Sequence, residues 1–227
     1  LLLLPLFLLA GVAAAGEPAK APRAIPSRLP AELEQRFQAA VAAYQLQHYS
    51  EAQRVLEPLV TRRPNDFQFN ELAGLISVAM GQNERANPYL TKAVRLNPKV
   101  AAAATTLAAN LVQLHRNDEA EAQFRHAAEL EPGNYDTNHN LGEFYIQAGR
   151  LKEGIPYLKR AQRLNPTVYN NGYDLALAYD QSGDFGQARE QLLELVKVSD
   201  TAELRSLLAE VEEKSRNYLA AAAQYEQ

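Results

Sequence analysis

Residues 97–132 read NPKVAAAATTLAANLVQLHRNDEAEAQFRHAAELEP, and residues 131–166 read EPGNYDTNHNLGEFYIQAGRLKEGIPYLKRAQRLNP. Both segments run from one X–Pro pair to the next, and prolines at 64, 98, 132 and 166 give an interval of 34 each time. Two further columns keep the same phase, one of small and one of bulky residues: Ala52, Ala86, Ala120, Gly154 and Ala188; Leu56, Leu90, Phe124, Leu158 and Leu192. Three columns in one phase identify an internal repeat.

The repeat unit is predicted to be a pair of antiparallel helices. Ala, Leu, Gln, Glu and Arg dominate the composition, which favours helix. Apolar residues recur at i, i+3, i+4 and i+7, giving a stripe that only a neighbouring unit can cover. Small residues suit the point where two helices cross closely. Proline disfavours helix in the residue before it, so Asn97 and Asn165 are expected to end their helices.

These columns resemble the tetratricopeptide repeat (TPR), whose 34-residue unit has small residues at positions 8 and 20, apolar residues at 7, 24 and 27, and proline at 32. The resemblance implies an all-α fold, a right-handed α-solenoid of stacked antiparallel helix pairs known as the TPR superhelix. It divides the chain into units at 31–66, 67–100, 101–134, 135–168 and 169–201, with a partial sixth unit at 202–227.

The turn inside each helix pair commonly needs a residue with positive φ. Gly81, Gly149 and Gly183 occupy this place in the second, fourth and fifth units. His115 occupies it in the third unit, and we therefore expect a less regular turn there.

The first residues predict export. Residues 1–15 form an apolar run that ends in Ala13-Ala14-Ala15, as in the h-region and cleavage site of a secretory signal peptide. The run is shorter than the roughly 20 residues that span a bilayer, so a retained membrane anchor is the alternative interpretation. Val12 stands where a lipoprotein signal requires cysteine, which excludes lipidation at that site. We expect a periplasmic or secreted protein without a stable membrane span after cleavage.

The segment between the signal and the repeats is predicted to be a flexible linker. Residues 16–30 contain four prolines and few apolar residues, a composition typical of an extended tether. The absent charged n-region suggests that the sequence begins inside the signal. The incomplete sixth unit suggests that the natural protein continues beyond Gln227.

Composition and motifs argue against several classes of function. The net charge is −4 and the cations are dispersed, so nucleic acid is an unexpected partner. There is no cysteine, phosphate-binding loop, nucleophile elbow or zinc motif. We therefore predict no catalytic residue, no cofactor and no metal site. The four histidines and four paired carboxylates are interpreted as solvated side chains: His48, His115, His126 and His139; Glu119, Glu121, Glu212 and Glu213.

The resemblance also implies where a partner binds. In TPR proteins the first helix of each unit lines a concave groove, mainly with positions 2, 5, 9, 12 and 13. In the first three units the predicted groove residues are largely uncharged: Phe37, Val41, Tyr44, Glu71, Leu75, Val78, Thr105, Ala109 and Val112. In the next two they are acidic and aromatic: Asp136, His139, Glu143, Asn170, Tyr173, Asp174, Leu177 and Asp180.

Two functions are compatible with this groove. The first is an exported scaffold or adaptor that binds a protein or peptide with basic and apolar residues in separate segments, in a bacterial envelope assembly. The second is the non-catalytic arm of a larger enzyme. Because the groove positions hold no Lys or Arg, a clamp for a C-terminal carboxylate is not supported. The groove residues could also be plain solvated helix faces, with the binding site elsewhere.

Overall fold

The computed structural model describes residues 30–166 and 168–226. This part of the chain consists of twelve helices without a strand, which confirms the predicted all-α solenoid of helix pairs. The helices are α1 Ala31–Gln45, α2 Tyr49–Arg62, α3 Phe67–Ala79, α4 Asn83–Leu96, α5 Ala101–Gln113, α6 Asn117–Leu130, α7 Tyr135–Gln147, α8 Leu151–Leu164, α9 Tyr169–Ser182, α10 Phe185–Val198, α11 Ala202–Lys214 and α12 Tyr218–Tyr225. The predicted signal peptide and nearly all of the predicted linker lie outside the described residues.

Consecutive helices pack against each other where the small residues lie. Ala52, Ala86 and Ala188 have no accessible surface. At Gly142 on α7, an added Cβ would lie 2.7 Å from Leu158 Cδ2 and 3.0 Å from Leu158 N on α8. A larger residue would therefore force the α7–α8 pair apart.

Polar side chains fix the N-termini of α3 and α7, each the first helix of its pair. Asp66 caps α3, because its Oδ1 accepts hydrogen bonds from Gln68 N at 3.1 Å and Phe69 N at 3.3 Å. The Nδ2 of Asn70 then donates to Pro64 O at 2.9 Å and Asp66 O at 2.7 Å. Asn134 and Asn138 make the equivalent bonds at the start of α7. The proline that ends one unit is thus tied to the first helix of the next.

The turn at His115 is as regular as those at glycine, so the expected irregularity is wrong. His115 has φ +57°, in the same left-handed region as Gly81 at +70°. The His115 N–H donates to Val112 O at 2.9 Å, and the Gly81 N–H donates to Val78 O at the same distance. These hydrogen bonds hold a residue with a Cβ in a conformation that glycine adopts without strain. Gln47 and Arg216 also have positive φ.

The described chain forms two compact units with a boundary between Gln123 and Phe124, inside α6. The first unit has a core built around α1–α3, which includes Phe37, Leu56 and Leu72. A core in the second unit includes Leu158 and Leu192. Within the described residues, no helix combines the length and apolar character that crossing a membrane requires.

Candidate partner-binding site

The predicted groove residues fall into two sets, one in each compact unit. The α1/α3/α5 face is defined here by the nine predicted residues from Phe37 to Val112. The α7/α9 face is defined by the eight predicted residues from Asp136 to Asp180. The two faces differ in burial and in charge.

On the α1/α3/α5 face, most predicted residues of α1 and α3 belong to the core. Phe37, Val41, Tyr44 and Leu75 are all less than a tenth exposed and lie in one hydrophobic cluster. The Phe37 ring lies 5.1 Å from the Phe69 ring, centroid to centroid. Partial exposure is confined to the uncharged remainder of the face: Val78, Thr105, Ala109 and Val112. Position in the repeat therefore does not by itself make a side chain available to a partner.

Glu71 is the exception within this face, because it is both charged and buried. The residue exposes 8% of its surface. Among the described residues, none donates a hydrogen bond to Glu71 or forms an ion pair with it. Burial raises the pKa of the Glu71 carboxyl to about 7.

The α7/α9 face is polar and more accessible. Asp136 and Asn170 are exposed, and the other six predicted residues are partly buried. α7 and α9 are both first helices of their pairs and touch each other at their edges, which brings Glu143 and Asp174 into electrostatic contact. The structure thus places predicted residues of two repeats together on one surface.

His139 lies at the centre of this face. Its Nε2 is 3.7 Å from Glu143 Oε2, and the Tyr135 ring stacks on the imidazole at 5.4 Å. Its Nδ1 is 3.1 Å from Asn171 Oδ1. An amide oxygen only accepts, so Nδ1 carries the hydrogen of this bond. The interpretation of His139 as a solvated side chain is wrong, because the ring is enclosed by neighbours from two helices.

Asn171 was not among the site residues predicted from the sequence. It is fully buried, and its Nδ2 donates to Leu158 O at 3.1 Å and Gln162 Oε1 at 2.7 Å. These two bonds fix the amide so that its oxygen points to His139. Asn171 therefore positions the histidine without being accessible itself.

Three acidic residues of this face, Asp136, Glu143 and Asp174, form no ion pair with a Lys or Arg in the described part of the chain. Within the described part of the chain, Asp174 makes neither a hydrogen bond nor an ion pair. Burial raises the pKa of Asp174 to about 6, with a further contribution from Glu143 and an opposing one from His139. The pKa of Tyr135 is also raised, by burial first and then by Asp136, Asp174 and Glu143. The site is therefore negative and incompletely solvated.

Asp180 differs from Asp174 because it has a lysine partner. Its Oδ2 lies 2.5 Å from Lys214 Nζ on α11, so an ion pair offsets its charge. Tyr173 likewise reaches α11, where its hydroxyl donates to Glu203 Oε1 at 3.2 Å. The ring of Tyr169 stacks on that of Tyr173. These contacts tie α9 to α11 and leave Glu143 and Asp174 as the charged centre of the face.

Glu212 was interpreted as a solvated carboxylate, and this is wrong. Glu212 is 2% exposed, and its Oε1 accepts from Arg189 Nε at 2.6 Å. Its Oε2 accepts from Asn217 Nδ2 at 2.9 Å. The burial is tolerated because both oxygens have donors. Over the described residues, no three His, Asp or Glu side chains are arranged to hold a metal ion.

Comparison with known proteins identifies the repeat. One family model described as tetratricopeptide repeat matches residues 111–167 and 147–211, and a second with the same description matches residues 68–100. Together they span more than half of the chain. No curated protein matches the chain.

Solved structures are similar to the chain at the level of the fold. The C-terminal part of a TPR repeat-containing protein from Cytophaga hutchinsonii is 16% identical over 84% of this chain and 76% of its own, with a TM-score of 0.75. The structure of pilF from Pseudomonas aeruginosa is 16% identical over 85% of this chain and 88% of its own, with a TM-score of 0.69. YrrB, described as a TPR protein with an unusual peptide-binding site, is 19% identical over 74% of this chain and 88% of its own, with a TM-score of 0.67.

Proposed function

This chain belongs to the tetratricopeptide-repeat family, and we propose that it is an exported, non-catalytic scaffold that binds a segment of a partner protein on the first helices of its repeats. The observation that carries the proposal is the α7/α9 face, where Glu143 and Asp174 lie together and, among the described residues, neither forms an ion pair with a Lys or Arg. Uncompensated, partly buried carboxylates destabilise the free protein, and a bound cation relieves that cost. The resemblance to a peptide-binding TPR structure supports a peptide-like ligand.

The chemistry of the α7/α9 face favours a basic partner segment. Tyr135 and Tyr173 provide aromatic surfaces next to the two carboxylates. Lys and Arg side chains pair with carboxylates and also pack on aromatic rings, so one such side chain can use both features. We expect the accompanying apolar residues of the partner to bind elsewhere on the protein, in a separate segment.

Site-specific photo-crosslinking in the source cells tests this assignment. A photoreactive residue at Tyr173 should give crosslinks to one or a few proteins. The same residue at Lys159, exposed on the second helix α8, is the matched control and should give none of these products. Crosslinks to the same proteins from Lys159 and not from Tyr173 would move the binding site to the second helices.

The envelope setting rests on the N-terminal sequence. Residues 1–15 favour export and cleavage after Ala15, with no lipid attached at Val12. Protein recovered from the cell envelope should begin at Gly16 when its N-terminus is sequenced. An unprocessed protein that stays in the cytoplasm would contradict export and would leave the proposed binding face unaffected.

A further inference from the structure

Glu71 is the only charged residue of two neighbouring first helices. α3 reads FQFNELAGLISVA and α5 reads AAAATTLAANLVQ, so the two helices together hold one carboxylate and no cation. Gln68, one turn before Glu71, is equally buried and uncharged. A buried charge without a partner destabilises the fold. The packing of α3 therefore gives no reason for an acid at this position.

Two cations on the helices around α3 lie beside other acids. On α1, Arg36 is largely exposed and lies 4.0 Å from Glu32. On α4, Arg85 lies 3.1 Å from Glu57 of α2. Burial is the only cause of the raised pKa of Glu71, so none of these cations offsets its charge. α3 packs broadly on α2 and α4 but meets α1 and α5 only at its edges. Glu71 keeps 8% of its surface exposed and Val78, two turns further along α3, is partly exposed, so α3 offers a partner a narrow accessible strip.

We propose that Glu71 binds a single lysine or arginine side chain of a partner segment whose adjacent residues are apolar. The surroundings dictate this chemistry. The accessible residues of the face, among them Val78, Ala109 and Val112, carry no charge and suit apolar neighbours. A neutral side chain at the same place would leave Glu71 buried and unpaired, so the face discriminates basic from neutral segments. The inference rests on the proposed function and adds a second, separate binding determinant in the other unit.

Selection from a phage-displayed library of random peptides tests the inference. The full chain, Glu71→Gln and Glu84→Gln are panned above pH 7, where Glu71 is ionised. Glu84 is exposed on the second helix α4, so its variant removes the same charge from another surface. The wild type and Glu84→Gln should enrich peptides with one basic residue between apolar residues. Glu71→Gln should lose this enrichment.

A double-mutant cycle then measures the contact itself. The strongest peptide and a version with methionine in place of its basic residue are titrated into the wild type and Glu71→Gln. Each single change should weaken binding about tenfold or more, and both together should weaken it little further. Glu71→Gln removes an uncompensated buried charge, so its midpoint of unfolding in urea should be at least as high as that of the wild type. Weaker binding by this variant would then not be due to a folding defect.

The other outcomes overturn the inference. Peptides without a basic residue, or binding that Glu71→Gln leaves unchanged, would remove Glu71 from recognition. If binding is unchanged in Glu71→Gln and weakened in Asp174→Asn, the proposed function survives and this inference fails. Enrichment of no peptide by the wild type would count against both.

Discussion

The two predicted faces occupy equivalent repeat positions and have different structural roles. On the α1/α3/α5 face, Phe37 and Leu75 are buried in the core and Glu71 is nearly enclosed. On the α7/α9 face, Glu143 and Asp174 remain partly accessible beside aromatic rings. Residue type alone does not decide which role applies, because Glu71 is a carboxylate and is buried. How closely the neighbouring helices approach a side chain also decides how much contact with water it keeps.

The largest expected effect comes from truncating the buried face. Phe37→Ala should lower the free energy of unfolding by about 3–5 kcal/mol, because it removes a core side chain and leaves a cavity. Leu177→Ala, at a partly exposed position of the other face, should lower it by about 1 kcal/mol or less. Urea unfolding followed by far-UV circular dichroism measures both. Equal losses would show that the two faces are packed alike.

The second effect concerns the charge of Glu71. Its pKa is about 7 in the folded chain and 4.5 in the absence of burial, so the folded state binds more protons between these values. The stability that Glu71 contributes is therefore fully present below about pH 4.5 and is lost as the pH rises to about 7, by about 3 kcal/mol. Glu71→Gln should remove this dependence and be more stable than the wild type above pH 7.

The matched control for this experiment is Glu84→Gln, which keeps Glu71 in place. It should retain the loss of stability between about pH 4.5 and about pH 7. If Glu71→Gln also retains it, the burial of the Glu71 charge is not its source.

The stability contributed by Asp174 should also fall as the pH rises, but by a smaller amount than that of Glu71. Burial, with repulsion from Glu143, raises its pKa from 3.8 to about 6, so stability should fall as the pH rises between these values. Because Asp174 keeps some solvent contact, we expect a loss of about 1–2 kcal/mol that shrinks in high salt. Asp174→Asn should abolish it. An unchanged pH profile would show that Asp174 is solvated like an ordinary surface acid.

The spacing of the sequence predicted the helix pairs because steric requirements repeat in every unit. Proline disfavours helix in the residue before it, and Gly142 leaves no room for a larger residue beside Leu158. The burial of Phe37 or Glu71 depends on how closely α1, α3 and α5 approach, which spacing does not encode. The Asn171–His139 bond and the Arg189–Glu212 pair join residues that are distant in sequence, so no local pattern indicates them.

The smallest expected effect tests whether the turns in the two units are equivalent, although their predicted binding faces differ. His115 in the first unit and Arg216 in the second have positive φ, at +57° and +63°. A side chain in this region costs strain that glycine avoids, so His115→Gly and Arg216→Gly should each raise the free energy of unfolding by about 1 kcal/mol. His115→Ala retains a Cβ and should give no such gain. Similar gains in both units would show that the turns are equivalent and that the difference lies in the faces. A gain in one unit alone would place a difference in the turns as well.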